Sequence, residues 1–237
     1  MPDSEPEILD TNVVILLAEP SPRIPDIQRL LNSGDLPRLF RPPHSYSQGI
    51  AVDLLRGPQI AHQFESMRSQ KSISVTATRV EVHDHSSNID FSKAELAQIA
   101  LDVAKALQLP RTQAVGATCT ASFLAPGECT AATAIRNSFL RQPYSFLPEH
   151  VSLIGGGVRF FLAGKDNTTY TLVVEPRNQE RTTREIWVSA NVEIALNSLP
   201  EVDRITTLLR DAYEPISKLQ TFVLESGSPV TARKEGE

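Results

Sequence analysis

The clearest pattern in the chain is the alternation of apolar and polar residues over its last third. Every second residue from position 186 to position 196 is apolar, and these residues are Ile186, Val188, Ala190, Val192, Ile194 and Leu196. A period of two indicates a strand with one face in the core. Residues 151–163 and 168–174 are also rich in apolar side chains and flank the sequence GKDN at 164–167, which predicts a hairpin.

Two helices are predicted from apolar residues that recur every three or four positions. The first begins at the capping pair Ser92 and Glu95, and its apolar stripe comprises Leu96, Ile99, Ala100, Val103 and Leu107. The second begins at the capping pair Ser198 and Glu201. Its stripe comprises Val202, Ile205, Leu208, Leu209, Ala212, Ile216, Leu219 and Phe222. Pro215 lies inside this second helix, so we expect a kink there.

The first half of the chain contains further extended segments. Residues 8–18 are an apolar run with a β-branched centre, and residues 112–124 form a similar segment. Residues 59–85 resemble two strands joined near the sequence RSQK. In the second of these, the apolar residues change from odd to even positions near Thr78 and Arg79, which predicts a bulge.

These elements predict an α+β protein in which helices pack on one face of antiparallel sheet. Strands mostly follow strands, and helices come singly. With a short helix at residues 26–32, the order over residues 8–124 is β-α-β-β-α-β, as in a ferredoxin-like lobe. We predict an N-terminal lobe at 1–145, a C-terminal lobe at 146–225 and a flexible tail at 226–237. The alternative is that both lobes share one sheet, and no internal repeat is evident.

Composition narrows the classes of function. The 237 residues are 41% hydrophobic and 22% charged, which is ordinary for a globular chain long enough to fold without disulfides. The net charge of −5 argues against a general nucleic-acid binder. Cys119 and Cys129 are too far apart for a zinc or redox pair, so we expect reduced thiols. The acidic N-terminus and the lack of a long apolar run predict a soluble, cytoplasmic protein without membrane contact.

The segment LDTNVVIL at residues 9–16 resembles the opening of PIN-domain nucleases. That resemblance implies a strand that delivers Asp10 to Mg²⁺ or Mn²⁺ with the help of further carboxylates, for which Asp53, Asp84 and Asp90 are available. It covers eight residues, and PIN-like chains alternate strands and helices around a parallel sheet, whereas the last third of this chain is antiparallel. The pattern therefore favours an ordinary strand whose Asp10 lies on the polar face or at a bulge.

The segment VEVHDHSSN contains two histidines that a strand would place on one face. His83 and His85 share that face, while Asp84 points the other way. Two histidines at this spacing hold Zn²⁺ or Cu²⁺ if a third ligand arrives from elsewhere, and the other histidines are isolated in the sequence. We therefore predict the end of a strand here, and no metal site.

Gly155, Gly156 and Gly157 form a glycine run, but its context is not that of a phosphate-binding loop. Such a loop is followed by a helix whose N-terminal amides face the anion. Here Val158 and Phe160 continue a strand. The run is better interpreted as strand backbone that another part of the chain approaches closely.

A group of basic and aromatic residues in the last third is the best indication of binding. Arg177, Arg181 and Arg184 lie between two predicted strands, in equal number with nearby glutamates. Trp187 takes the polar face of its strand, and we expect it to form an aromatic surface with Tyr170 on the preceding strand. An exposed tryptophan is a frequent hot spot in protein interfaces.

No complete catalytic constellation is visible, so the sequence predicts a non-catalytic binding or assembly protein without a cofactor. We expect it to be a subunit of a homo- or hetero-oligomer that contacts a protein partner. A contiguous apolar patch at Trp187 or the final helix would support this hypothesis. The alternative is a PIN-like nuclease dependent on Mg²⁺ or Mn²⁺, which would require Asp10, Asp53, Asp84 and Asp90 to converge around one cavity.

Overall fold

Nine antiparallel strands form one continuous sheet in the computed structural model. The structure describes residues 5–21, 45–53, 57–66, 69–87, 90, 94–109, 111–140 and 156–226. The strands are β1 Glu7–Leu17, β2 Ser45–Asp53, β3 Gly57–Ser66, β4 Lys71–Val75, β5 Arg79–Asp84, β6 Thr112–Leu124, β7 Val158–Ala163, β8 Thr168–Pro176 and β9 Glu185–Ala195. Their order across the sheet is β2-β3-β4-β5-β1-β6-β9-β8-β7.

Within the described ranges, three α-helices pack against one face of this sheet, which we call the covered face. They are α1 Glu95–Ala106, α2 Ala131–Phe139 and α3 Val202–Ser226. Strand residues that point toward the helices, such as Val13, Val82 and Val192, are completely buried in one core with the apolar helix residues. Alternate strand residues point to the other face, the open face, on which no described helix packs. None of the described helices is long and apolar enough to cross a membrane.

The two halves of the chain follow the same plan. β1 and β6 pair with each other at the centre of the sheet. After β1, the next strand, β2, lies at one outer edge of the sheet, and the strands from β2 to β5 follow inward until β5 lies beside β1. After β6, the next strand, β7, lies at the other outer edge, and the strands from β7 to β9 follow inward until β9 lies beside β6. Each half then ends in a helix, α1 or α3. This is an internal repeat of topology that the sequence pattern does not reveal.

A bulge in β1 decides which face its polar residues take. Ile8 pairs with Ala121 on the covered face, and the register shifts by one residue before Asp10 pairs with Thr120. A bulge re-aims the side chains that follow it, because one additional residue reverses the alternation. Asp10 therefore lies on the open face, and Thr11 is completely buried beneath the sheet. The prediction that Asp10 occupies a polar face or a bulge is confirmed.

The coarse fold prediction is confirmed, since this is an α+β protein with an antiparallel sheet. The predicted strand at 112–124 and the hairpin turn at 164–167 are observed. Pairing between β6 and β9 makes one sheet of the two predicted lobes, which was the stated alternative. The ferredoxin-like description stays a prediction, because its first helix at 26–32 lies outside the described residues, as does the boundary at 145.

The predicted bulge near Thr78 and Arg79 is wrong. β4 and β5 form an antiparallel pair in which Val75 lies opposite Val80, and the chain reverses between them. The backbone amide of Thr76 donates to the carbonyl of Arg79 at 2.9 Å and closes this turn. A reversal changes the apolar residues from odd to even positions as a bulge does, so the sequence pattern does not distinguish the two.

The helix ends also differ from the prediction. α1 begins at Glu95 after Ala94, which has a positive φ of 51°, while Ser92 lies outside the described residues. α3 begins at Val202 and continues through Pro215. Its buried stripe ends at Val223 rather than Phe222, whose side chain is 44% exposed.

Candidate functional site

The open face carries a central band of short polar side chains. On β6 and β9, the hydroxyl of Thr118 donates to Asn191 Oδ1 at 3.0 Å, and the hydroxyl of Thr120 donates to Ser189 Oγ at 3.4 Å. These contacts join neighbouring strands through their side chains as well as their backbones.

Beside this band, β1 and β5 bring together one carboxylate and two imidazoles. Asp10 Oδ2 lies 3.2 Å from His83 Nδ1, and Asp10 Oδ1 lies 3.0 Å from His85 Nδ1. The two imidazole rings are stacked, with centroids 5.6 Å apart and an angle of 15° between their planes. We call these three residues the Asp-His-His triad. Asp10 and His83 are 73 residues apart in the sequence and become neighbours because β1 and β5 pair.

The surroundings of the triad hold its side chains in place. Ser72 Oγ on β4 lies 3.2 Å from His85 Nε2, so both nitrogens of that ring have a partner. Asn12 donates to Asp10 Oδ2 at 3.4 Å. Burial lowers the pKa of His83, but the hydrogen bond and the charge of Asp10 outweigh it, so the net pKa of His83 is raised. An acidic partner on one side and solvent on the other make this a polar, accessible site.

The carboxylates of the nuclease hypothesis do not gather around Asp10 in the described structure. Asp84 points to the covered face, where it lies 3.2 Å from Lys71 Nζ. Asp53 is on β2, four strands from β1, which corresponds to roughly 19 Å at the usual strand spacing of about 4.8 Å. Asp90 is exposed in the connection before α1. Asp84 and Asp53, two of the acids that the hypothesis names, therefore do not lie beside Asp10.

The predicted aromatic surface does not form, because its two members occupy opposite faces. Trp187 lies opposite Glu175 and Ser122 on the open face, where it is partly exposed. Tyr170 lies opposite Val192 on the covered face. The interpretation that Trp187 points away from the apolar set is confirmed. Its association with Tyr170 is wrong, since the two residues belong to opposite alternations in paired strands.

The three arginines of the predicted binding group do not form one basic patch. Arg177 is paired with Glu185, and Arg184 donates to the carbonyl of Gly127. Arg181 is exposed in the turn between them. Two of the three guanidiniums are thus engaged within the chain, and they brace the connection between β8 and β9.

The glycine run precedes an edge strand, as the sequence indicates. A Cβ on Gly157 would lie 3.0 Å from Glu175 Cβ and 3.1 Å from the carbonyl oxygen of Val174. Glycine is therefore needed at this position because β8 approaches its backbone closely. Gly156 leads directly into it, and Gly155 lies outside the described residues.

An apolar groove that the sequence did not reveal runs between β8 and the outer side of α3. It encloses about 460 Å³ and is lined by Tyr170, Asp211, Glu214, Pro215, Lys218, Leu219 and Phe222. Burial raises the pKa of Tyr170, and the nearby charge of Asp211 raises it further. Phe222 at one end contacts Phe139, which contacts Phe160 on β7. The final helix thus contributes Pro215, Leu219 and Phe222 to this groove, beside the charged residues Asp211, Glu214 and Lys218.

The edge strand β7 exposes two large apolar side chains, as the opposite edge strand β2 does with Ile50 and Val52. Phe161 is 76% exposed and Leu162 is 51% exposed, and they point to opposite faces of the strand. β7 pairs with β8 on one side, and no described strand pairs with its other side. The signal in the sequence was the run VRFFLA, which is apolar on both faces although it ends the sheet.

Comparisons with known proteins add little to this description. No protein-family model matches the chain, and no curated protein does. A solved structure described as Methanococcus jannaschii TBP is similar over 94% of this chain and 99% of that chain, with 10% identical residues and a TM-score of 0.33. A likeness of that extent supports no statement about function.

Proposed function

We propose that this protein is a non-catalytic binding protein that works as a subunit of an assembly, and that a second copy of the chain pairs with β7. The observation that carries the proposal is the outer edge of β7, with which no described strand pairs and on which Phe161 and Leu162 are exposed. Natural proteins usually protect edge strands with charge, proline or a covering loop, because a bare edge recruits another strand. In β7 the charged residue is Arg159, and the strand contains no proline.

A second copy fits this edge better than an unrelated chain because β7 is complementary to itself. In an antiparallel pair centred on Phe161, that residue meets its own copy on the open face. Phe160 then meets Leu162 of the other chain, and Arg159 meets Ala163. No two like charges oppose each other, and the most exposed side chains become cross-strand pairs. A two-fold axis through this point generates a closed dimer rather than an open filament.

The groove beside α3 gives such a dimer additional contact area. It opens next to β7, since Phe222 and Phe160 share contacts with Phe139. A strand pair alone is a narrow interface, whereas stable interfaces usually bury more than about 1,000 Å². Apolar residues at the groove mouth allow the contact to spread from the sheet edge to the helix layer.

The test is the native mass of the protein by sedimentation equilibrium over a range of concentrations. We expect wild-type protein to dimerise and Phe161→Lys to remain monomeric, because it would place two charges opposite each other at the two-fold axis. Leu124→Lys is the matched control, since Leu124 is 62% exposed but lies on β6, far from the edge. Wild-type protein that stays monomeric, or a dimer that survives Phe161→Lys, would overturn the proposal.

Disulfide trapping tests the register of the pair. In the proposed register two Phe161→Cys chains bring their Cα atoms to about 4.5–5.5 Å, a separation that a disulfide spans. Ala163→Cys is the control, because its partner would be Arg159. Oxidation should cross-link the first variant rapidly and the second slowly. Equal rates would show that the edge does not pair in this register.

The nuclease alternative draws no support from the geometry. A two-metal or multi-carboxylate mechanism needs acids on one face, and Asp84 and Asp10 are separated by the sheet itself. The alternative remains a prediction from the resemblance of residues 9–16.

A further inference from the structure

The Asp-His-His triad has the composition of a transition-metal site. Carboxylate and imidazole are common ligands of Zn²⁺, Ni²⁺ and Cu²⁺, and three protein ligands with open positions are a recurrent arrangement. The ligand atoms of Asp10, His83 and His85 all lie within 4.8 Å of one another. The site therefore has the required ligand types and brings them close enough to share one ion.

The two distances from Asp10 to the histidines are close to those between neighbouring ligands on one metal ion. With metal–ligand bonds of about 2.0–2.1 Å, neighbouring ligands of a tetrahedral ion lie roughly 3.3 Å apart. The observed separations from Asp10 oxygens to His83 Nδ1 and His85 Nδ1 are 3.2 Å and 3.0 Å. Both histidines present the same nitrogen to the carboxylate.

A second layer of polar groups supports metal binding in particular. A histidine that binds metal through Nδ1 carries its proton on Nε2 and requires an acceptor there. Ser72 Oγ lies 3.2 Å from His85 Nε2 and supplies that acceptor. Next to Asp10, the buried Oδ1 atom of Asn12 has no hydrogen-bond partner within the described part of the chain. Unsatisfied buried acceptors are unusual, and one beside a carboxylate is consistent with a site that gains a cation.

The site is also accessible to an ion and to further ligands. His85 has 51% of its side chain exposed, and Asp10 has 26%. A cavity of about 350 Å³ extends from the two histidines across β4 and β3 toward β2 and is lined by Ser72, Ser74, Gln63, Glu65 and Glu81 among others. Water molecules or a small polar ligand in this cavity can complete the coordination that three side chains leave open.

We propose that Asp10, His83 and His85 bind one divalent transition-metal ion of the Zn²⁺ class on the open face of the sheet. Mg²⁺ and Ca²⁺ prefer several oxygen ligands, so two imidazoles and one carboxylate discriminate against them. This site is separate from the β7 edge and does not depend on the proposed assembly. It joins two sequence motifs that were interpreted individually, and it corrects the expectation that the histidine pair lacks a third ligand.

The first experiment is a calorimetric titration of Zn²⁺ into the full chain, freed of polyhistidine tag and of metal by chelation. We expect one ion per chain, and no heat with Mg²⁺. Asp10→Asn, His83→Ala and His85→Ala should each weaken binding by more than about 100-fold. The matched controls are Asp102→Asn on α1 and His62→Gln on the covered face, which should bind as wild-type protein does.

Two further measurements keep the result independent of folding defects. Cu²⁺ bound to wild-type protein should show coupling to two nitrogens by electron paramagnetic resonance, and to one nitrogen in each histidine variant that still binds. Ser72→Ala should weaken Zn²⁺ binding about tenfold, whereas Ser74→Ala on the same strand and face should not. Absent binding, or binding that all three ligand variants retain, would show that the triad is an ion pair only and would overturn the proposal.

Discussion

Asp10 and Asp84 lie one residue apart in register on paired strands, yet they occupy opposite faces of the sheet. Asp84 lies beneath it, 6% exposed, and is held by Lys71 and by two hydrogen bonds from Ser86. Asp10 lies above it, with two histidines and solvent around it. The covered carboxylate pairs with Lys71 on β4, and Lys71 also lies 3.4 Å from Glu95 at the start of α1. The carboxylate on the open face, Asp10, has partners that can exchange. The face that a carboxylate takes therefore decides whether it stabilises the fold or is available to bind a ligand.

The largest difference in stability between substitutions on the two faces should appear at neighbouring apolar residues of β1. Ile15 is completely buried on the covered face, and Leu16 is partly exposed on the open face. We expect Ile15→Ala to lower the free energy of unfolding by about 4 kcal/mol, because it removes buried methylenes and leaves a cavity. Leu16→Ala should cost about 1 kcal/mol. Urea denaturation measures both, and equal losses would show that the open face is covered in solution.

Breaking the buried ion pair between Lys71 and Asp84 should give the next largest loss of stability. Lys71→Met leaves Asp84 charged and buried without its cation, which we expect to cost about 3 kcal/mol. The matched control is Lys218→Met, since Lys218 pairs with Glu214 on the surface of α3 and is 75% exposed. That change should cost less than about 0.5 kcal/mol. A loss below about 1 kcal/mol for Lys71→Met would mean that Ser86 alone satisfies Asp84.

The reactivity of the two cysteine thiols compares a buried position on the covered face with a more exposed position. This measurement requires no change in core packing. Burial raises the pKa of Cys119 to about 11, although Thr11 donates to its sulfur at 3.8 Å. At pH 8 about one Cys119 thiol in a thousand is ionised, and the thiolate is the reactive form. We expect Ellman's reagent to modify one thiol per native chain, and Cys129→Ser to abolish this reaction. Reaction at Cys119 should accelerate as the pH rises toward 11. Two fast thiols at neutral pH would contradict the burial of this position.

The smallest effect is expected within the polar band of the open face. Thr120→Val removes one hydroxyl at a 3.4 Å contact with Ser189 and keeps the β-branched shape. We expect the free energy of unfolding to change by less than about 0.5 kcal/mol in either direction, since both groups can bond to water instead. Urea denaturation tests this as well. A loss above about 1 kcal/mol would show that the band is an interior layer.

The sequence by itself determined several strands, the two predicted helices and most of the side chains that they bury, but it did not predict β2. Alternation over 186–196 predicted six inward residues, of which β9 buries five, while Leu196 lies beyond the strand and is partly buried. The predicted stripe of α3 is buried from Ile205 to Leu219. These patterns are local, because the period of the backbone decides which residues share a face. The error at Phe222 arose where two neighbouring apolar residues compete for one position in the stripe.

Only the tertiary structure decided which strands pair and which side chains become neighbours. Asp10 and the histidine pair are both visible in the sequence, but the pairing of β1 with β5 and the bulge before Asp10 bring them together. Tyr170 and Trp187 are close in sequence pattern, and the sheet separates them. Strand pairing depends on contacts between distant segments, which compete across the whole chain during folding, so no local period encodes it. The triad is therefore a property of the fold, built from residues whose chemistry the sequence already showed.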